Sequence, residues 1–331
     1  MTGNFQTLFG VSLVGSGSAT PAQKITNDQL AARVDTNDEW VNTRTGIRER
    51  RIIGSDESLS NLSTRAAISA IEMAGWEADT VDMVLVATST PDDLFGIAPK
   101  IQAQLGATNA VAFDLTAACS GFLFALVTAA QYLQNGTFRR VIVIGADQLS
   151  SWMDWDDRSS CVLFGDGAGA VLLEPSGQPG IVDSILKIDG SGGDYLKMIA
   201  GGSLNPASLE TVKHKQHYAY QDGKTVFKFA VTKMADVSEH IMQRNNLSGD
   251  DVDWLVPHQA NLRIIDATAK RMQIEPSKVM INIQKYGNTT AATIPLCLAE
   301  WEQKLKNGDN LILASFGGGF TWGAIYLIWR K

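Results

Sequence analysis

The chain has 331 residues, of which 45% are hydrophobic and 19% are charged, a composition typical of a globular protein with an extensive core. The formal net charge of −7 argues against general binding to nucleic acid, because phosphates are recognised by basic surfaces. No apolar run approaches the length of a membrane span, and the first residues lack the basic segment and cleavage site of a secretory signal. The three cysteines fit no metal or redox spacing, so we expect a protein of the cytoplasm.

Apolar, strand-like runs alternate with helical patterns from the beginning of the chain. Strands are expected over 8–15, 81–87, 111–115 and 141–145, and helices over 62–74 and 100–105. This alternation predicts an α/β fold with buried sheets.

The second part of the chain repeats the first. Strand-like runs at 81–86, 111–115 and 140–145 have counterparts, in the same order and about 170 residues later, at 252–257, 279–283 and 310–314. The repeat predicts two duplicated halves, 1–175 and 176–331, whose equivalent strand ends meet at a junction where both halves could supply site residues. The stretch 175–225 is rich in Gly, Ser and Pro, which indicates a crossover followed by a surface excursion.

Cys119 is the first candidate for a reactive residue. It follows the predicted strand 111–115 after a short turn, and residues 119–134 form an almost wholly apolar helical pattern that ends at a C-cap signal. The sulfur is therefore expected at the N-terminus of a buried helix, where unpaired N–H groups and the helix dipole favour a thiolate. A strand, a turn and a helix in this order are typical of a nucleophile elbow.

A buried cysteine without chemistry is the alternative interpretation of Cys119, and it is the more common one for a single cysteine. We adopt that interpretation for Cys161 and Cys297, which lie in apolar runs without a comparable turn.

Two polar residues of the second half occupy similar positions at strand ends. His258 follows a predicted strand that ends at Val256, and a helix is expected over 261–272. Asn288 lies between the predicted strand 279–283 and the start of a helix with small residues. Ligands collect at the carboxyl ends of strands in α/β sheets. Taken singly, a structural histidine and a turn-capping asparagine are the more common interpretations.

The combination of three segments is more specific than any one of them. The segments DLTAACSGF (114–122), VPHQANLRI (256–264) and YGNTTAATIP (286–295) together resemble the β-ketoacyl-ACP synthase III family of the thiolase superfamily. Other family blocks follow in the family order, namely DTNDEWVNTRTGIRERR (35–51), FGDGAGAVLLE (164–174) and SFGGGFTWGA (315–324). The resemblance covers nearly the whole chain. It implies a thiolase-like five-layer αβαβα fold built from two duplicated halves.

The resemblance also implies a two-step reaction that initiates fatty acid synthesis. Cys119 would take the acyl group of an acyl-CoA, usually acetyl-CoA, and malonyl-ACP would then lose CO₂ and attack that acyl group to give 3-oxoacyl-ACP. His258, with a neutral ring, and Asn288 would donate hydrogen bonds to the malonyl thioester oxygen. The backbone N–H groups of Cys119 and Gly318 would form a second oxyanion hole. No cofactor or metal is implied, since acyl-CoA and malonyl-ACP are substrates.

Residues outside the catalytic set are carried over by the same motifs. Trp40, Arg44 and Arg158 would hold the adenine end of CoA. Phe95 would lie where a second subunit closes the acyl pocket, which implies a homodimer. A basic rim for the acidic acyl carrier protein would comprise Lys228, Gln259, Arg263, Lys270 and Arg271. A half-buried tryptophan, surface ion pairs and solvated cations are the alternative interpretations.

Related families and other site types leave some alternatives. Elongating synthases resemble a Cys-His-His pattern and thiolases use a second cysteine, whereas chalcone-synthase-like enzymes share the Cys-His-Asn set. A catalytically silent binding subunit is the alternative of a different class, and the intact catalytic set argues against it. The glycine-rich run at 165–170 precedes a strand, which excludes a dinucleotide fingerprint, and His214 and His217 lack a third metal ligand. Residues 1–175 resemble cyanobacterial and plastid members and 180–331 those of Bacteroidetes, which raises the hypothesis of a hybrid chain.

Overall fold

The computed structural model describes residues 10–330, so part of the strand predicted over 8–15 lies outside the described residues. The strands are β1 (Val11–Ala19), β2 (Lys24–Thr26), β3 (Glu49–Arg51), β4 (Met83–Ala87), β5 (Val111–Leu115), β6 (Val141–Gln148), β7 (Asp166–Pro175), β8 (Ile181–Ile188), β9 (Leu196–Met198), β10 (Ala219–Gln221), β11 (Trp254–Pro257), β12 (Asn310–Gly317) and β13 (Thr321–Ile328).

The α-helices are α1 (Asn27–Ala31), α2 (Asp38–Thr45), α3 (Leu59–Ala74), α4 (Ala98–Leu105), α5 (Gly121–Gln134), α6 (Arg158–Cys161), α7 (Leu209–Lys213), α8 (Gly223–Arg244), α9 (Leu262–Met272), α10 (Ile283–Tyr286) and α11 (Thr293–Trp301). Within residues 10–330, no helix is both long enough and apolar enough to span a membrane.

The two large sheets have the same strand order and the same strand directions. The first is ordered β1-β7-β6-β4-β5 and the second β8-β13-β12-β11. In each sheet two neighbouring strands are parallel, β4 with β6 and β11 with β12, and the next two pairings are antiparallel. An isolated parallel bridge between Leu255 and Val279 occupies the place that β5 has in the first sheet. The two sheets are therefore topological copies, while the exact boundary at residue 175 stays a prediction.

Hydrophobic side chains divide the molecule into five layers. Helices α5 and α11 lie between the two sheets, where Leu126 and Leu298 pack with strand residues such as Val143 and Leu313. Helices α3 and α4 cover the outer face of the first sheet, and α8 and α9 cover the outer face of the second. This order of layers confirms the predicted αβαβα fold.

Two sequence-based expectations about secondary structure are wrong. Residues 279–283 form a single bridge followed by α10, because the backbone N–H groups of Asn282 and Ile283 bond to the side-chain oxygen of Gln259 instead of to a neighbouring strand. Residues 181–188 form strand β8 and do not belong to the surface excursion. Its Ile181 and Ile185 are buried, and the glycines and prolines around this run concealed it.

Each of the two central helices is preceded by a short 3-10 turn, Ala118–Ser120 before α5 and Thr290–Ala292 before α11. In both turns the first residue has a φ of 48°, a left-handed conformation that is costly for any residue with a side chain and most of all for a β-branched one. Helix α5 thus begins at Gly121, two residues later than predicted, and the turn carries Cys119.

Candidate active site

Cys119 is the second residue of the turn that links β5 to α5, and only 8% of its surface is exposed. Strand β12 of the second half holds this turn, because the Ser315 hydroxyl donates to the Cys119 carbonyl at 2.8 Å. A Cβ atom at Gly317 would lie 2.7 Å from the Cys119 nitrogen, so only glycine allows this approach.

The electrostatic environment of Cys119 favours the thiol when no substrate is bound. Burial raises the pKa of the Cys119 thiol to about 12, and the negative charge of Asp147 acts in the same direction. Hydrogen bonds from the backbone N–H groups of Cys119 and Gly318 lower that pKa, but by less. The predicted preference for a thiolate is therefore wrong for the free protein, because removal from water outweighs the N–H groups at this turn. The same two N–H groups converge on the sulfur.

His258 directly follows β11 and is buried. Its backbone N–H donates to the Ala314 carbonyl at 2.8 Å, which extends the parallel pairing of β11 with β12 by one residue. Ring atom Nδ1 lies 2.8 Å from the hydroxyl of Thr293, the first residue of α11. Burial lowers the pKa of His258 to about 3, so the ring is neutral near pH 7, in agreement with the expectation from the sequence.

Asn288 is held at both its backbone and its side chain. Its N–H donates to the Leu163 carbonyl at 2.9 Å, and its carbonyl accepts from Gly165 at 3.1 Å. The side-chain oxygen accepts from the backbone N–H of Thr290 at 2.9 Å. Because the oxygen is occupied in this way, the amide NH₂ group remains the donor that can serve a ligand.

The three residues from the two halves line one cavity of about 140 Å³. Cys119, His258 and Asn288 meet in this cavity, whose remaining walls are mostly apolar. A second cavity of about 170 Å³ is also lined by Cys119 and is bounded by side chains such as Leu149 and Met153. Cys119 thus lines both a compartment with hydrogen-bond donors and a largely apolar compartment.

The three residues predicted to hold adenine form one cluster on the surface. The guanidinium groups of Arg44 and Arg158 lie 4.6 and 4.8 Å from the centre of the Trp40 ring, distances typical of cation–π contacts. Trp40 and Leu163 pack on the same small hydrophobic cluster, and Leu163 also lines the cavity that contains Cys119. The cluster is therefore adjacent to the catalytic cavity.

Comparison with known proteins agrees with this geometry. The family described as 3-oxoacyl-[acyl-carrier-protein (ACP)] synthase III matches residues 113–190, and the family described as its C-terminal part matches residues 242–329. A β-ketoacyl-[acyl-carrier-protein] synthase III of Prochlorococcus marinus is 54% identical over 335 residues, which cover 100% of this chain and 99% of that protein. The chain belongs to the β-ketoacyl-ACP synthase III family.

Other family members match the chain just as completely. The β-ketoacyl-[acyl-carrier-protein] synthase III 2 of Bacteroides thetaiotaomicron is 48% identical, with 96% of both chains covered. The crystal structure of 3-oxoacyl-[acyl-carrier-protein] synthase III from Aquifex aeolicus VF5 is 40% identical and superposes with a TM-score of 0.88 over 97% of this chain and 100% of that one. Both relatives match across the junction between the halves, and the hypothesis of a hybrid chain stays a prediction.

Most of the basic residues assigned to the carrier-protein rim of this family member are exposed. Lys228, Arg263 and Lys270 lie on the surfaces of α8 and α9. The Arg263 guanidinium stacks 5.0 Å from the ring centre of Phe227, which lines the catalytic cavity. Arg271 differs, because its guanidinium bonds to Asp236 at 2.8 Å and to Glu239 at 3.2 Å.

Gln259 is wrongly assigned to this rim. Its side chain has no exposed surface and cannot contact a carrier protein. Its NH₂ group donates to the carbonyls of Pro257 and Met280, and its oxygen accepts from two backbone N–H groups. All of these bonds are internal, so Gln259 fixes the segment after His258 against the segment before Asn288.

Phe95 lies in the loop between β4 and α4. The side chains of Leu94 and Phe95 are 92% and 98% exposed. They line a groove of about 970 Å³ together with residues of β5, which is an edge strand within residues 10–330. Val111 and Phe113 of β5 are also exposed.

Sequence reasoning missed three polar residues that contact the catalytic set or its turns, namely Asp147, Thr290 and Thr293. The position of Asp147 carried a usable signal, since a carboxylate at the carboxyl end of a strand as apolar as 141–146 needs buried partners. Nothing comparable distinguishes the two threonines from their neighbours in TTAAT. Among the described residues, no group of three or more His, Cys, Asp or Glu side chains is placed to hold a metal ion.

Proposed function

We propose that this protein condenses an acyl-CoA with malonyl-ACP to give 3-oxoacyl-ACP, CO₂ and CoA, and thereby initiates fatty acid synthesis. The observation that carries the proposal is the meeting of Cys119, His258 and Asn288 around one buried cavity in a member of this family. The reaction needs no cofactor, because the thioesters activate both carbon centres.

The first step transfers the acyl group to Cys119. The sulfur attacks the thioester carbon, the carbon–sulfur bond to CoA breaks, and the thiol proton ends on the departing CoA sulfur. The N–H groups of Cys119 and Gly318 point at the sulfur, where they can stabilise the oxyanion that forms beside it. Because one thioester replaces another, this step is nearly balanced in free energy.

The second step forms the new carbon–carbon bond. When the malonyl carboxylate leaves as CO₂, its electron pair becomes an enolate whose oxygen accepts hydrogen bonds from the Asn288 amide and from His258. That role places the ring proton on Nε2, so the Thr293 hydroxyl would turn its single proton from the Thr290 carbonyl, 2.9 Å away, to Nδ1 at 2.8 Å. The enolate carbon then attacks the acyl carbon, the sulfur of Cys119 leaves as a thiolate, and this thiolate takes up one proton from solvent. Exclusion of water strengthens each of these hydrogen bonds.

Substrate and carrier would approach from the side of the cavity that His258 and Asn288 line. The adenine of CoA would bind between Trp40 and the arginines beside it, and the acidic carrier protein would bind the exposed cations around Arg263. The apolar compartment of about 170 Å³ behind Cys119 fits a small acyl group such as acetyl. The three cysteines are free and buried, which is consistent with a reducing cytoplasm.

We also infer that the protein is a homodimer. Leu94 and Phe95 are almost fully exposed, and the exposed edge of β5 beside them offers unpaired backbone groups. Exposed apolar residues next to a free sheet edge favour association with another chain. Pairing of two β5 strands would cover both features and would bring Phe95 toward the acyl compartment of the partner, whose lining shares Trp152 with the groove.

Detection of an acyl-enzyme tests the proposed function directly. Incubation with acetyl-CoA should add one acetyl group to Cys119, as measured by mass spectrometry of tryptic peptides, and should block alkylation of Cys119 by iodoacetamide. Cys119→Ser should abolish acyl transfer, whereas Cys297→Ser, which changes a buried residue away from the cavity, should keep it. Absence of the adduct in the unaltered protein would favour a silent binding subunit. Turnover with acetyl-, isobutyryl- and longer acyl-CoAs would then establish chain preference.

A further inference from the structure

Asp147 is a buried carboxylate beside the catalytic cavity that the two-step reaction does not use. It is the seventh residue of β6 and has no exposed surface. One of its oxygens accepts three hydrogen bonds from the loop that follows β4: from the Thr88 hydroxyl at 3.2 Å, the Ser89 N–H at 2.7 Å and the Thr90 hydroxyl at 2.9 Å.

The other oxygen of Asp147 bonds to the second half of the chain. It accepts from the hydroxyl of Thr290 and, at 3.2 Å, from the N–H of Ala291. One carboxylate therefore joins a loop of the first half to the turn that precedes α11. The residues it bonds in the second half are more than 140 positions away along the chain.

The hydrogen bonds fit an ionised carboxylate. The Thr90 hydroxyl accepts from the Gln148 N–H at 2.7 Å and the Thr88 hydroxyl accepts from the Thr90 N–H at 3.1 Å, so each directs its own proton to Asp147. Burial raises the pKa of Asp147, and the donors around it offset part of that rise. A buried charge is tolerated only with such partners. Loss of the donors from one half would therefore weaken the bonds that Asp147 makes to the other half.

The turn that Asp147 holds is strained and touches both catalytic residues of the second half. Thr290 is β-branched and has a φ of 48°, a conformation that persists only when its surroundings enforce it. Its N–H donates to the side-chain oxygen of Asn288, and its carbonyl accepts from Thr293 at 2.9 Å. The Thr293 hydroxyl in turn contacts the ring of His258.

We propose that Asp147 is a positioning residue for the condensation step, and that its carboxylate fixes the turn Thr290–Ala292 so that Asn288 and His258 face the sulfur of Cys119. The proposal rests on the proposed function in so far as condensation is the reaction affected. Acyl transfer depends less on Asp147, because the turn that carries Cys119 is held by the second sheet through Ser315.

The variant Asp147→Asn tests this role with Asp166→Asn as a matched control. The introduced amide would keep one acceptor oxygen but would present an NH₂ group to Thr290 and Ala291, where it meets donors. Asp166 is equally buried, yet it accepts from Ile53 and Ser150 of the first half only. The two variants thus remove the same charge from the core, but only the first releases the turn.

The expected result for Asp147→Asn is a split between the two steps. Malonyl-ACP decarboxylation should fall by about 100-fold, the loss that a displacement of about 1 Å causes in a catalytic group, while the rate of acetyl transfer to Cys119 should fall by less than about tenfold. In Asp166→Asn the ratio of the two rates should stay that of the unaltered protein. Equal loss of both steps in Asp147→Asn, no loss of condensation, or the same split in Asp166→Asn would each overturn the proposal.

A second measurement needs no condensation activity and separates this proposal from the proposed function. The charge of Asp147 disfavours the Cys119 thiolate, so the rate of iodoacetamide alkylation at pH 8 should rise severalfold in Asp147→Asn and remain unchanged in Asp166→Asn. An unaltered protein that is alkylated but never condenses would refute the proposed function. Unchanged alkylation in folded Asp147→Asn would instead overturn the placement of this carboxylate between the loop after β4 and the turn before α11, from which the proposal is argued.

Variants of the turn keep the proposal testable if Asp147→Asn does not fold. Thr290→Val retains the β-branch and removes the hydroxyl that bonds to Asp147. Thr289→Val is its neighbouring control, because the buried Thr289 hydroxyl has no hydrogen-bond partner in the described structure. Thr290→Val should lower condensation about tenfold more than acetyl transfer, and Thr289→Val should not. The same effect in both variants would overturn the proposal.

Discussion

The turns before the two central helices show how a duplicated fold becomes asymmetric. Ala118–Ser120 and Thr290–Ala292 have the same 3-10 geometry and the same left-handed first residue. The second residue is Cys119 in the first half and Ala291 in the second. Both halves therefore have the strained backbone, and only one of them has the proposed nucleophile.

Each turn is supported by a strand of the other half, and the two supports differ in charge. Strand β12 approaches Cys119 with Ser315 and Gly317, which are neutral. Strand β6 approaches the turn of α11 with Gly145 and the carboxylate of Asp147. The difference teaches that the turn with Cys119 is supported by neutral groups, while the carboxylate that supports the other turn also acts on Cys119 by raising the pKa of its thiol.

Removal of the hydrogen-bond donors of the second half should have the largest effect, and it should separate condensation from acyl transfer. His258→Ala or Asn288→Ala should lower decarboxylative condensation by about 100- to 1,000-fold, because each removes one donor to the enolate oxygen. Acetyl transfer to Cys119 should remain more nearly intact, since its oxyanion hole belongs to the backbone. Rapid-quench measurement of acyl-enzyme and of CO₂ release checks both steps. Loss of acylation in His258→Ala as complete as in Cys119→Ser would show that the division of labour is wrong.

Variants of surface residues should distinguish the binding of malonyl-ACP from the binding of acetyl-CoA. Arg263→Ala should raise KM for malonyl-ACP roughly tenfold, the scale of one charge-assisted contact, and should leave KM for acetyl-CoA unchanged. Trp40→Ala should instead raise KM for acetyl-CoA and leave KM for malonyl-ACP unchanged. Steady-state kinetics with each substrate varied in turn provides the measurement.

Arg271→Ala serves as the control for Arg263→Ala. Its guanidinium already bonds to Asp236 and Glu239, so its removal should change KM for malonyl-ACP less than Arg263→Ala does. Equal effects of the two arginines would mean that the carrier recognises general positive charge and not the cation that stacks on Phe227.

The smallest expected effect is on stability, and it also distinguishes the halves. Burial lowers the pKa of His258 to about 3, so between about pH 6.5 and pH 3 the unfolded chain binds a proton at this residue that the folded chain does not. The free energy of unfolding should therefore decrease as pH falls below 6.5, by about 1 kcal/mol between pH 6.5 and 5.5. Cys119, with a pKa of about 12, contributes no such dependence in this range.

His258→Gln isolates this contribution from the other titrating groups. Burial raises the pKa of Asp166 to about 6, which stabilises the folded protein at low pH and loses that effect as pH rises through 6. Because Asp166 is present in both proteins, its contribution cancels in the difference. Urea denaturation at pH 6.5 and 5.5 should show a smaller loss in His258→Gln, and identical losses would contradict a neutral buried ring.

The α/β alternation and the strand ends could be predicted from the sequence because their signals are local, whereas the five layers and the catalytic set were expected from the resemblance of several segments to a known family. The apolar run 111–115 is a strand with the predicted bounds, and the strand ends before Cys119 and His258 follow from short-range patterns. Gln259 shows the limit of such patterns. A glutamine next to a histidine gives the same local sequence pattern whether its side chain faces solvent or the core. The hydrogen-bond partners of Gln259 at 280–283 are more than 20 positions away.

Long-range support accounts for the other errors and omissions. The ionisation of Cys119 depends on burial under a second sheet that no local pattern reveals, and the partners of Asp147 come from residues 88–90 and 290–291. Strand β8 was missed because its pairing with β13 lies more than 130 residues away. Each of these features depends on which segments the fold brings together.

The close approach of glycines to the two turns restricts how this protein can evolve. A Cβ atom at Gly145 would lie 2.2 Å from the Ala291 carbonyl oxygen, and one at Gly317 would lie 2.7 Å from the Cys119 nitrogen. Even alanine would push one half away from the other at the point where they share chemistry. New substrate ranges can therefore arise through substitutions in the cavity walls and the surface loops, while the two glycines at the strand ends cannot be replaced.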